Sequence, residues 1–322
     1  MMQDAIRGFS KQFGYQPVIE NEDILIKKEK VVVIGMGGSH LAGDMVVRLM
    51  PDMDIQVFND YGLPVLPAGH LEESLIICSS YSGNTEEVLL AYDEAKKKRL
   101  DLAVIAVGGS LIERAKQDGI PYVQVPDTGI QPRSALGFSL IGHLKLMGLD
   151  NIINDLSKLE DILDVENLEK EGKSLAERVQ NYVPIIYSSQ KNWTLAWNWK
   201  IKLNETGKIP AFHNVFPELN HNEMTGFDIQ DSSKQLSEKF YVIILKDSAD
   251  HPKIQKRMEI VEKLYNNRGL KTETIKLSGK TEAEKLFSSL ILADWTAVYT
   301  AELYGLESEQ VPMVEEFKGL IK

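Results

Sequence analysis

Three hydroxyl side chains, Ser80, Ser82 and Thr85, crowd into the run Ser79-Ser80-Tyr81-Ser82-Gly83-Asn84-Thr85-Glu86-Glu87. The apolar run before it, residues 74–78, reads as a buried strand. The periodic pattern after it, residues 84–97, reads as an amphipathic helix. The hydroxyls therefore sit at a strand-to-helix turn, where uncommitted backbone N–H groups and the helix dipole favour an anion. Gly83 allows the backbone to approach a ligand closely. No lysine of the Walker pattern accompanies the turn, so a nucleoside triphosphate fits poorly and a phosphate monoester fits better. The same residues would also make a turn and cap a helix with no ligand at all.

Other segments carry reactive residue types. Gly35-Met36-Gly37-Gly38-Ser39-His40 follows the first strand-like run. It approaches a dinucleotide fingerprint, with Asp60 where a ribose-binding acid would fall, but the third glycine of that pattern is replaced by His40. Alternatively, Gly37, Gly38 and Ser39 let a sugar lie against the backbone, or form a tight turn and nothing more. Pro132-Arg133-Ser134 opens a helix, and Arg133 either points to solvent or turns inward as a fixed cation. Glu205 ends a tryptophan-bearing helix, where apolar packing would suit a carboxylate base. Pro217-Glu218-Leu219-Asn220-His221-Asn222-Glu223 is a polar loop whose His221 can move protons near neutral pH. With His213, Glu218 and Glu223 close in sequence a metal site is conceivable, but the spacing matches no zinc pattern.

The elements that must hold these residues alternate. Strand-like runs at 31–34, 55–58, 74–78, 102–107 and 122–125 are separated by helical patterns at 40–50, 84–97 and 111–117, with a longer helix at 134–147. Continuous β-branched runs between helices indicate a parallel sheet covered on both faces. Residues 150–180 are charged and helical in character, without a Pro- or Gly-rich linker. A second alternation follows, with strands at 183–187, 240–245 and 271–276 and helices at 193–204, 252–266 and 282–304. A further helical pattern covers residues 4–13. The expected architecture is thus two related α/β domains, 1–152 and 153–322, with ligands beyond the carboxyl ends of the strands.

Composition sets the outer bounds. The 322 residues carry a net charge of −11, which argues against nucleic acid or an anionic membrane as partner. Cys78 is the only cysteine, so no intrachain disulfide forms, and its apolar strand marks it as a core residue. No signal peptide or membrane-length apolar span is seen, and a cytoplasmic location is expected.

Taken together, these motifs resemble the sugar isomerase (SIS) domain proteins, and within them the bifunctional phosphoglucose/phosphomannose isomerases. The resemblance is carried by Gly-Met-Gly-Gly-Ser at 35–39, Ser-Tyr-Ser-Gly-Asn-Thr-Glu-Glu at 80–87 and Pro-Arg-Ser at 132–134. It continues with Asn-Glu-Thr at 204–206, Glu-Leu-Asn-His-Asn-Glu at 218–223 and Phe317-Lys318. It implies two SIS domains, each a parallel sheet flanked by helices in a Rossmann-like three-layer sandwich. It also implies interconversion of glucose 6-phosphate, and of mannose 6-phosphate, with fructose 6-phosphate through a cis-enediolate, in glycolysis and gluconeogenesis. Ser80, Ser82 and Thr85 would hold the phosphate, and Gly37, Gly38 and Ser39 would line the sugar site. Arg133 would stabilise the enediolate and Glu205 would shuttle the proton. His221, reaching from a second subunit of a homodimer, and Lys318 would assist ring opening. No metal or cofactor is implied. The rivals are another SIS sugar-phosphate isomerase and a non-catalytic sugar-phosphate sensor. One departure is visible: family members often carry Asp-Pro-Thr-Pro-Val before the final helix, whereas this chain has Glu309-Gln310-Val311-Pro312-Met313. Val311 keeps the size of the threonine but not its hydroxyl, which weighs on the mannose activity more than on the glucose one.

Overall fold

The computed structural model describes residues 2–321, which form two compact units. One is residues 8–162. The other joins residues 163–321 to the first helix, α1 (Met2–Arg7). The sequence reading put the domain boundary after residue 152 and kept the N-terminal segment in the first domain.

In the unit formed by 8–162, six strands are ordered β1-β6-β5-β4-β2-β3. They are β1 (Ile19–Glu20), β2 (Lys30–Gly35), β3 (Asp54–Phe58), β4 (Ser74–Ser79), β5 (Leu102–Ala106) and β6 (Tyr122–Gln124). All pair in parallel except β1, which runs antiparallel along β6. Every residue of β4 and β5 is buried, as is all of β2 after Lys30, which is why these runs are continuously apolar rather than alternating. Helices α2 (Gly38–Leu49), α3 (Glu86–Lys98), α4 (Gly109–Asp118) and α5 (Leu136–Leu146) cover the sheet, and α6 (Asp150–Ser157) and α7 (Leu159–Ile162) complete the unit. On one face Val32, Ile34, Ile76, Cys78 and Val104 pack with Val88, Ala91 and Tyr92 of α3 and Leu111 and Ile112 of α4. On the other, α5 comes so near that a Cβ on Gly142 would lie 2.3 Å from Ile105 Cδ1.

The second unit repeats the plan with four parallel strands ordered β10-β9-β7-β8. These are β7 (Val183–Ser189), β8 (Phe212–Phe216), β9 (Phe240–Lys246) and β10 (Lys271–Lys276). Its helices are α8 (Val165–Val179), α9 (Trp193–Glu205), α10 (Glu223–Gly226), α11 (Lys234–Ser237), α12 (Pro252–Asn266), α13 (Glu282–Leu303) and α14 (Pro312–Leu320). Ile185, Tyr187, Val242 and Ile244 pack with Met258, Val261 and Tyr265 of α12. Between α9 and α13 the interior holds Trp199, which donates to Ser289 Oγ at 3.0 Å, together with a buried ion pair, Lys202 Nζ to Asp294 Oδ1 at 2.6 Å, while the buried Trp295 of α13 faces α8 at Gly172. Met2 and Ile6 of α1 are buried in the same unit, and Arg7 bonds Glu169 at 2.7 Å and lies over the Trp295 ring.

Three elements differ from the sequence reading. The expected helix at 4–13 breaks at Gly8 into α1 and a 3-10 turn, Phe9–Gly14, and the two pieces enter different units. Strand β1 is only Ile19–Glu20, too short to carry a periodicity. Strand β8 was also missed: Phe-His-Asn-Val-Phe is an edge strand with polar residues and an exposed Phe212, so it lacks a core-strand pattern.

Candidate functional site

In the first unit the chain runs from β2 to β3 on one side and then crosses to β4 on the other. The switch in direction falls between β2 and β4, the place where open α/β sheets form a crevice beyond the strand ends. The two turns that emerge there are the glycine-rich one after β2 and the hydroxyl-rich one after β4.

The hydroxyl turn is held internally. Gly83 N–H donates to Ser80 Oγ at 3.1 Å, and Ser80 Oγ lies 2.7 Å from Thr85 Oγ1. That pair owns two O–H groups and uses one between themselves, so the other can donate outward. Ser82, exposed, accepts from Asn84 N–H at 3.3 Å and keeps its own proton for another partner. Gly83 has φ +71°, and a Cβ there would lie 1.8 Å from Gly108 O, so only glycine fits between this turn and the one that opens α4. Leu111 N–H to Gly83 O at 2.9 Å and Ser110 N–H to Asn84 Oδ1 at 3.0 Å fasten the two turns.

The glycine turn meets the hydroxyl turn through Ser39, whose Oγ accepts from Tyr81 N–H at 2.8 Å. Gly37 adopts φ +53°, ψ −128°, a conformation suited to glycine, as the residue before α2. No side chain caps α2 or α3, so the first-turn N–H groups of two helices stay unclaimed by caps at the switch point. A Cβ on Gly38 would lie 3.0 Å from the Pro132 carbonyl carbon, so the turn bearing Arg133 stands against the glycine turn. Arg133 is buried, at 3% exposure. Gly37, Gly38, Ser39, Ser80, Ser82, Thr85 and Arg133 thus share one edge of one sheet.

The second unit has the matching switch point between β7 and β9, and it is filled differently. Ser189 Oγ donates to Asp250 Oδ1 at 2.6 Å, Asn192 donates to both, and Lys285 pairs with the fully buried Asp247 at 2.7 Å. Burial pushes the Asp250 carboxyl up. For Asp247 burial acts in the same sense but is outweighed by Lys285, the Ala249 N–H and Lys191, so its carboxyl is held down. Fixed carboxylates there oppose an anionic ligand.

The remaining candidates sit elsewhere in that unit. Glu205 is the last residue of α9 and is half-buried. Its carbonyl accepts from Lys208 Nζ at 2.6 Å, and the same ammonium also donates to Gln310 O. His221 is exposed at the end of a short 3-10 turn, Glu218–His221. Its loop is anchored by buried Leu219, by Arg257 donating to Asn220 Oδ1 at 3.1 Å, and by Glu223, which accepts from Tyr187 and Asn214. Lys318 lies on the exposed helix α14 and pairs with Glu315 at 2.8 Å. His213 packs edge-on against Trp197 at 4.9 Å, and burial, with Lys200 nearby, holds it neutral to lower pH. Among the described residues no group of three or more His, Cys, Asp or Glu side chains could hold a metal ion.

Comparison with known proteins sets these features in a family. The description "Bacterial phospho-glucose isomerase C-terminal SIS domain" matches residues 168–321. A bifunctional phosphoglucose/phosphomannose isomerase of Aquifex aeolicus is 32% identical over 324 residues, covering 99% of this chain and 97% of that one. The chain belongs to the bifunctional phosphoglucose/phosphomannose isomerase family. A second member, from Caldicellulosiruptor bescii, is 36% identical over 318 residues, 94% of this chain and 91% of its own. The SIS fold of this isomerase family is also that of glucosamine-6-phosphate deaminase from Thermotoga maritima, with TM-score 0.69, 16% identity, and 97% and 96% of the two chains covered. Within the family frame, the sequence reading missed the residues that hold the candidates in place, chiefly Tyr187, Asn214 and Lys208. Tyr187 ends a core run, Asn214 lies on the unforeseen β8, and Lys208 follows Asn204-Glu205-Thr206 as an ordinary surface-type residue. Of these, only the Gly207-Lys208 pair after a helix end offered a signal.

Proposed function

We propose that the protein is an aldose–ketose isomerase, interconverting glucose 6-phosphate and mannose 6-phosphate with fructose 6-phosphate. The observation that carries this is the relationship to the named isomerases over nearly the whole chain. The donors at the β2/β4 switch point support a phosphate-bearing substrate. Ser80, Ser82, Thr85 and the N-terminus of α3 receive the phosphate, and Gly37, Gly38 and Ser39 admit the sugar. The phosphate supplies binding energy remote from the reacting carbons and fixes them against the base. Glu205 takes the proton from C2 of the aldose. The charge of the enediolate is met by Arg133, the O2 hydroxyl proton passes to O1, and Glu205 returns its proton to C1. The atoms balance within one substrate, so the reaction as drawn calls for no redox partner. His221 and Lys318 open the pyranose ring. Val311 stands just before α14 and retains the volume that would let either C2 epimer in.

The assembly is a homodimer in which His221 completes the partner's site. Its exposure supports this, as does the stripe Met313, Phe317 and Leu320 on α14, exposed by 80%, 60% and 79%. The activity belongs to glycolysis and gluconeogenesis in the cytoplasm. No described helix is long and apolar enough to cross a membrane.

The test is a coupled assay with both aldose phosphates on the wild type and on Glu205→Gln. Turnover of glucose 6-phosphate that falls by about 10²–10⁴-fold in a folded Glu205→Gln protein is expected. Absence of wild-type turnover on either sugar refutes the function, and near-normal turnover of the variant refutes the role of Glu205.

A further inference from the structure

Helix α9 ends at Glu205, and the chain turns away through Thr206-Gly207-Lys208. A Cβ on Gly207 would lie 2.7 Å from Leu203 O, so glycine is needed there for close approach. The left-handed position, however, falls on the next residue: Lys208 has φ +58°. Such a conformation is unfavourable for a residue with a Cβ and is usually given to glycine or asparagine. What this places is an ammonium between two carbonyl groups. Lys208 Nζ donates to Glu205 O at 2.6 Å and also to Gln310 O. The first bond caps the helix at its negative end. The second reaches the segment leading into α14, the helix of Lys318. No residue of α14 is buried, so its placement depends on polar ties more than on packing.

We propose that Lys208 is a positioning residue of the isomerase: its ammonium ties the end of the Glu205 helix to the segment that leads into the Lys318 helix, holding the proton shuttle and the ring-opening lysine in register. This rests on the assignment of Glu205 and Lys318 made above. The strained backbone is retained because the side chain must leave the turn in that direction. A capping role alone would be met by glycine, which takes the conformation without strain.

The experiment compares Lys208→Gly, Lys208→Met and Lys208→Arg with the wild type in the full-length protein. Lys208→Gly removes the tie and relieves the backbone, so its melting temperature stays within about 3 °C of the wild type. Its kcat for glucose 6-phosphate is expected to fall by about 10–10²-fold, with KM changed by less than roughly threefold, because misplacement of a base penalises the transition state more than binding. Lys208→Met behaves likewise, and Lys208→Arg, which keeps donors, recovers part of the loss. Hydrogen exchange provides a readout independent of activity: amides of residues 311–321 exchange roughly fivefold or more faster in Lys208→Gly and Lys208→Met. Wild-type kcat in Lys208→Gly overturns the positioning role, and unchanged exchange overturns the tether. Glu205→Gln run in parallel separates the two levels. If it is inactive while Lys208→Gly is normal, only the inference about Lys208 falls; if it is active, the assignment of Glu205 falls first.

Discussion

Two glycines of the first unit share the same φ, +71°, and differ in everything around them. Gly129 has nothing within 4 Å of where a Cβ would stand, whereas at Gly83 that Cβ would lie 1.8 Å from Gly108 O. Alanine at Gly129 therefore costs only the left-handed conformation, about 1–2 kcal/mol. Alanine at Gly83 costs that plus a displacement. Real Cβ atoms do not come closer than 3.0 Å, so the two turns must part by at least 1.2 Å, the difference between 3.0 and 1.8. That movement breaks or stretches the bonds from Leu111 N–H and Ser110 N–H, each worth about 1 kcal/mol. The sum is roughly 3–4 kcal/mol, or about 6–16 °C of melting temperature for a unit of this size, against about 2–8 °C for Gly129→Ala. The hydroxyls of Ser80 and Thr85 move with the turn, so KM for glucose 6-phosphate should rise in Gly83→Ala and hold in Gly129→Ala. Calorimetry and the coupled assay on the two variants decide it. Equal losses of melting temperature, or an unchanged KM in a folded Gly83→Ala, would refute the reasoning.

Other outcomes follow from the same geometry. Replacing Ser80, Ser82 and Thr85 together with Ala should weaken sugar-phosphate binding far more than folding, and free fructose should be a very poor substrate; equal turnover of free and phosphorylated sugar would remove the cradle. Asp294→Ala removes the carboxylate 2.6 Å from the buried Lys202 ammonium and should cost about 3–5 kcal/mol in urea unfolding, whereas Lys202→Met with Asp294→Leu should cost much less; equal losses would contradict this. His143 is fully buried, its Nδ1–H donates to Ser139 O at 2.7 Å, and burial lowers its pKa from 6.5 to about 4. Between those values the unfolded chain binds a proton that the folded one does not, so stability falls as pH drops from 6.5 to 4, by roughly 3 kcal/mol at most. His143→Met should flatten that fall in unfolding midpoints measured at pH 7 and 4.5, and an unaltered slope would exclude His143 as its source. Mixing Glu205→Gln with His221→Ala after dissociation should restore up to roughly a quarter of wild-type activity if the residues come from different chains of a C₂ dimer; no recovery in proven mixed dimers would place His221 in its own subunit's site or outside catalysis.

The strands of the interior were legible because burial on both faces leaves no room for polar residues, so Val31-Val32-Val33-Ile34 and Leu75-Ile76-Ile77-Cys78 announce themselves. The edge strand β8 did not, since its run Phe-His-Asn-Val-Phe mixes an exposed Phe212 with His213 and with Asn214, which bonds Glu223 rather than packing in a core. The hydroxyl turn was legible as a phosphate candidate from residue type and position alone. Its place at the switch point was not, because strand order is a long-range property that no local pattern encodes. The same limit applies to Ser39: its type suggested a sugar contact, but its bond to the Tyr81 N–H depends on β2 and β4 being neighbours. Lys208 escaped because a lysine after a helix reads as solvated unless its backbone angle is known.

Helix α1 belongs to the unit whose other residues begin at 163, and Gln3 Nε2 bonds Glu302 Oε1 across 299 positions of chain. During synthesis at about 5–20 residues per second, α1 waits roughly 15–60 s before that partner exists. Meanwhile residues 8–162 are all available and can fold as they emerge. Met2 and Ile6, buried in the finished protein, lack their contacts with α13 for the whole interval. Helix α1 is thus completed only with the end of its unit, although it is made before every other described residue of that unit. A tag or deletion at that end should therefore slow maturation of the second unit, while leaving the folding of residues 8–162 as it was.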